Sequence, residues 1–209
     1  MEPYIPLVKA IIISTMFTWG TSEVVITDQY ILRENIQPNQ KTGIEIKKYE
    51  VYDINRNVIH RIDPNMDYRV SIPTDSFFIK HQPRDDEYED TERNVVEVAK
   101  QKYEGYPCKV VKRTMKVSKP GNGIFVEKEV SDYSYFGKIP WLSSVLDTEQ
   151  KRAFAGFERQ QYAPYYYILY DYVQWPGQEP KDNILRIIEK KEVDTTFIHT
   201  LLSLPLRDN

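Results

Sequence analysis

The sequence predicts a mainly β fold, at most α+β, with antiparallel sheets forming a sandwich or barrel and two helices late in the chain. Three observations carry this. Short apolar runs rich in Val, Ile and Tyr alternate with turn residues along most of the 209 residues. A helical period of about 3.6 surfaces clearly only after Trp141. The composition, with 41% hydrophobic and 28% charged residues, is that of an ordinary globular chain, long enough to bury a core without a metal or disulfide staple.

The first 22 residues read as an apolar arm. Residues Leu7 to Trp19 hold an unbroken apolar and small run of about ten residues after Lys9, well short of a bilayer span. Two readings remain: a signal peptide ending near Gly20-Thr21-Ser22, or a retained first element that is buried or docked on a partner. The poorly basic n-region, with Glu2 and two prolines, favours retention. Ile11-Ile12-Ile13 followed by Thr15, Phe17 and Trp19 has the composition of a strand.

Residues 23–82 form a first β region. Strands are expected from Val24 to Leu32, from Ile44 to Ile54 with a bulge near Lys47-Lys48, from Val58 to Ile62, around Tyr68, Val70 and Ile72, and from Ser76 to Lys80. Residues 83–93 break the pattern: six carboxylates and almost nothing apolar predict a solvated loop or linker. The EF-hand spacing and its central glycine are absent there.

Residues 94–209 form a second β region with helices, packed with the first as one domain. Val95 to Tyr103 fits a short helix or a strand. Lys109 to Ser118 and Ile124 to Phe136 form a hairpin around Lys119-Pro120-Gly121-Asn122-Gly123. Leu142, Val145, Leu146, Ala153, Phe154 and Phe157 predict one helix from Trp141 to Gln161, capped by Ser143 or Ser144. Tyr165 to Trp175 is apolar or aromatic on both faces, the mark of a doubly covered strand. Asn183 to Val193 is a further strand, and Asp194 caps a closing helix through Leu202.

The chemistry-bearing motifs are few. His60, His81 and His199 share no metal-ligand spacing, and the lone Cys108 permits neither a disulfide nor a thiolate cluster. No nucleophile elbow, HExxH or Walker motif occurs, and no cofactor is expected. The balance of 28 basic against 31 acidic residues argues against general nucleic-acid binding. Lys109, Lys112, Arg113, Lys116 and Lys119 read first as a solvated face that guards an edge and pairs with Glu127 and Glu129, and second as a contact for a nucleic-acid backbone beside Tyr103 and Tyr106.

Tyrosine is the compositional oddity, at 16 residues against 8 Phe. Its large ring and water-tolerant hydroxyl suit interfaces, so Tyr133, Tyr135, Trp141, Tyr165, Tyr166, Tyr167, Tyr170, Tyr172 and Trp175 are the candidate interface residues. Cross-strand stacking inside one molecule is the alternative use. The leading expectation is a non-catalytic assembly subunit that binds other protein chains, such as a virion component. It carries no membrane span, and peripheral membrane contact through the arm is left open. An intracellular or virion setting is favoured over secretion. A secreted or periplasmic β-domain that stacks a carbohydrate or other small ligand on Trp141 and Trp175 comes second. A hydrolase with an unrecognised carboxylate site comes third.

Overall fold

The computed structural model describes residues 7–17, 20–39, 43–62, 67–80, 93–121, 124–157 and 166–207. Among these are eleven strands and four short helices. Every strand pairing whose register is defined is antiparallel. The chain divides into two compact units. The first comprises Met1–Gln82, Val145–Arg159 and Ile187–Asn209, and the second Pro83–Ser144 and Gln160–Arg186. The acidic stretch expected as a linker falls outside the described residues except for Arg93, as do His81 and Tyr165.

In the first unit, β1 (Leu7–Phe17), β2 (Gly20–Ile26), β3 (Tyr30–Pro38), β4 (Glu45–Asp53), β5 (Val58–Ile62) and β6 (Arg69–Pro73) lie side by side in chain order. The apolar run of the expected arm is β1 itself, with Ala10, Ile11, Ile12 and Ile13 buried. The stretch expected as one strand from Val24 to Leu32 is a hairpin. The Thr27 hydroxyl accepts from the Tyr30 amide at 2.9 Å and donates to its carbonyl at 3.1 Å, so a threonine closes a turn that lacks glycine and proline.

The bulge expected near Lys47-Lys48 is absent, and β3 pairs with β4 without a break from Tyr30↔Asp53 to Pro38↔Glu45. Alternation fades along β4 because both faces are covered. On one face Leu32, Val51 and Ile62 pack under Ile198 and Leu201 of α4 (Thr196–Ser203). On the other, Tyr52 meets Phe154 of α3 (Glu149–Phe154) at 5.7 Å, and Phe154 meets Phe77 of α1 (Thr74–Lys80) at 5.9 Å. Helices, rather than a second sheet, provide this cover.

Two local expectations fail for tertiary reasons. Ser76–Lys80 is helical, because the chain turns after Pro73 and must bring Phe77 onto Phe154. Over its described residues, 141–157, the expected Trp141–Gln161 helix is two helices, α2 (Pro140–Ser143) and α3, and its last four residues lie outside the described ones. Thr148 starts α3 afresh by accepting from the Lys151 amide at 3.2 Å. Gly156, with φ of 79°, follows its end in the left-handed region.

In the second unit, β7 (Arg93–Tyr103), β8 (Tyr106–Gly121), β9 (Ile124–Lys138) and β10 (Tyr166–Gln174) are joined by the start of β11 (Lys181–Asp194), in the order β11-β10-β9-β8-β7. The ambiguous Val95–Tyr103 segment is thus a strand. Glu104 and Gly105, at φ of 48° and 79°, form the tight turn that returns it into β8.

Candidate functional site: a tyrosine face in the second unit

Register decides which tyrosines share a face. Tyr103 pairs with Tyr106 at the β7–β8 turn. Along β8 and β9, Lys112 lies opposite Tyr133 and Val110 opposite Tyr135. Across to β10, Tyr135 lies opposite Tyr170 and Tyr133 opposite Tyr172. Because residues two apart point the same way, Tyr103, Tyr106, Tyr133, Tyr135, Tyr170 and Tyr172 occupy one face.

The rings form a continuous array. Tyr133 and Tyr172 stack at 4.7 Å with planes 8° apart, and Tyr103 and Tyr170 at 5.3 Å and 4°. Tyr135 bridges these pairs, 5.2 Å from Tyr170, 6.2 Å from Tyr103 and 6.5 Å from Tyr172. Each such contact contributes about 0.5–1.5 kcal/mol beyond the area it buries. The Lys112 ammonium lies 5.7 Å from the Tyr133 ring centre.

The floor beneath the array is apolar: Cys108 and Val110 are buried on this face. Gly137 lies there, where a Cβ would come 2.3 Å from Leu169 Cδ1, so a larger residue must push the buried Leu169 aside. Burial raises the Cys108 thiol above its ordinary pKa, consistent with a packing role for the chain's one cysteine.

All six tyrosines are half-buried. The Tyr170 hydroxyl donates to Asp182 at 2.5 Å, and burial together with that bond pushes its pKa far up. Burial first, then the neighbouring phenols, raise Tyr172, and burial raises Tyr103 and Tyr106. Those four phenols therefore stay neutral well into the alkaline range. The hydroxyls of Tyr103, Tyr133, Tyr135 and Tyr172 meet no hydrogen-bonding partner among the described residues.

The structure thus gathers Tyr133, Tyr135, Tyr170 and Tyr172 of the expected set. Tyr166 instead lies 5.5 Å from the Lys109 ammonium. Tyr167 is buried, with its hydroxyl 2.6 Å from Ser143 Oγ. Trp141 is half-buried on α2, and Trp175 half-buried just past β10. Sequence reasoning missed Tyr103 as an array member and Tyr106 as its neighbour on the same face, although the Glu104-Gly105 pair between them was a readable hairpin signal.

Of the β8 cations, Lys109 bridges to Glu97 of β7 at 3.3 Å, and in backbone register position 116 lies opposite position 129. Among the described residues, no three His, Cys, Asp or Glu side chains gather as a metal site. No described helix is long and apolar enough to cross a membrane. No protein-family model and no curated protein matches this chain.

Proposed function

We propose that the protein is a non-catalytic assembly subunit, such as a virion component or an accessory chain of a larger complex, and that it binds its protein partner through the tyrosine face. One observation carries this reading: a contiguous array of half-buried tyrosines, four of whose hydroxyls meet no hydrogen-bonding partner among the described residues. Such a surface offers ring area for burial and hydrogen bonds for registration, as the aromatic centres of protein interfaces do. The edge extends it. Among the described strands β7 has one neighbour, β8, and Val96, opposite Lys112 on the same face, is 47% exposed.

The test pairs sedimentation with a denaturant titration on Tyr133→Ser/Tyr172→Ser. Interface residues at a hot spot should cost roughly 2 kcal/mol or more in association. Lower unfolding stability at unchanged oligomeric mass would assign the pair to internal packing alone. A wild-type protein that stays monomeric at high concentration and with candidate partners would end the assembly reading.

A further inference from the structure

The first unit holds a polar depression of about 370 Å³ at the foot of α4, lined among others by Tyr30, Asp53, Arg56, Arg69, His199 and Ser203. Its volume lies near the lower limit for small-molecule sites. The cations and anions lining it do not balance. Among the described residues that line it, Asp53 is the one carboxylate, and it is engaged locally: Oδ1 accepts from the Arg56 amide at 3.0 Å, and Oδ2 lies 3.8 Å from Arg56 Nε.

Arg69 has no carboxylate partner among the described residues. Its Nε donates to the Leu204 carbonyl at 3.0 Å and its Nη1 lies 2.8 Å from His60 Nδ1. Both are neutral acceptors, and they hold the guanidinium in one orientation with Nη2 left over. The backbone around it is pinned as well, since the Arg69 amide donates to the Pro205 carbonyl and the Arg207 amide to that of Arg69. A half-buried, oriented and uncompensated guanidinium is what carboxylate and phosphate recognition requires.

We propose that this depression binds the oxyanion of a small ligand, a carboxylate or a phosphoryl group, on Arg69 with Arg56 at its rim. Tyr30 and His199, whose rings meet edge to face at 5.7 Å, form the wall beside it. Buried His60 behind Arg69 reports the local field: burial, and then the charge of Arg69, hold its pKa at about 4. An anion on Arg69 cancels part of that field, so occupancy moves the imidazole back toward its ordinary value without touching it.

The experiment follows the histidine ring resonances of the full chain by NMR against pH, with and without inorganic phosphate, and in parallel with acetate. Saturable binding of either probe, with the His60 titration shifted upward, is the expected result. Phosphate alone assigns a phosphoryl ligand, and acetate alone assigns a carboxylate. Arg69→Gln should abolish binding but also loses the Leu204 and His60 bonds. Arg56→Gln therefore provides a second arm: that side chain is 76% exposed, and its loss should weaken binding about threefold to fivefold at unchanged stability. Neither probe moving His60 at about 50 mM, several times an ordinary weak-site Kd, would overturn the proposal. So would undiminished binding in both variants.

Discussion

The two units cover their sheets by different means, and the difference shows in what each buries. In the first, α4 covers one face and α1 with α3 the other, so charged residues end up in the interior among aromatic rings. Glu50 accepts from Arg33 Nε at 2.9 Å and from Arg61 Nε at 2.8 Å. Arg33 lies 5.0 Å from the Phe154 ring centre and Arg61 4.9 Å from that of Phe77. The tyrosine face of the second unit instead uses its own side chains as a roof, and each ring hides part of the next. Helical cover must satisfy the charges beneath it internally, whereas a self-covering aromatic face keeps its polar atoms within reach of water or of a partner.

The sharpest way to break the comparison is Glu50→Gln. It leaves the largely covered Arg33 and the part-exposed Arg61 without their shared anion and should cost about 3 kcal/mol, the low end for a broken buried pair, read by denaturant titration. Burial alone would raise the Glu50 carboxyl, but the two arginines outweigh it and hold its pKa below the ordinary value. Its contribution is therefore complete above the ordinary carboxylate range and is lost as pH falls through the lowered folded value.

His60 should produce the next largest effect. Buried and held neutral, its folded pKa is about 4 against an ordinary 6.5. The unfolded chain binds a proton in that window and the folded one does not, so stability falls as pH drops from 6.5 toward 4 and levels off below. The full span is about 3 kcal/mol. Unfolding free energies at several pH values should show this slope, and His60→Gln should flatten it. Equal slopes in the two proteins would refute the assignment.

In the second unit the strongest single lever is steric. Gly137→Ala forces a methyl group against Leu169 and should destabilise by about 1–3 kcal/mol. If it proves neutral, Leu169 has room to move and the floor under the tyrosines is looser than its contacts indicate.

Several elements were legible because their signals are local. The strands β5, β6, β8 and β9 follow from alternation and turns of Asn, Pro and Gly, β10 from an unbroken apolar and aromatic run that ends at Pro176-Gly177, and the neighbouring phenols of Tyr133 and Tyr135 read directly as one face. The Trp141–Gln161 periodicity was real but misleading. Leu142, Leu146 and Phe154 are all buried, yet they belong to two helices and the link between them. A period records which residues need cover and not whether the backbone between them is continuous.

The sequence by itself determined the antiparallel β class, the placing of most strands and turns, and the concentration of tyrosine in one stretch. Each of these depends on residues within a few positions of one another. Only the tertiary structure decided that Ser76–Lys80 is helical, that Tyr103 from β7 joins phenols about 30 and 70 positions further on, and that Arg69 faces a histidine and a carbonyl instead of a carboxylate. These outcomes depend on register and on which groups finally face one another, and strand pairing sets both across distances that no local pattern records.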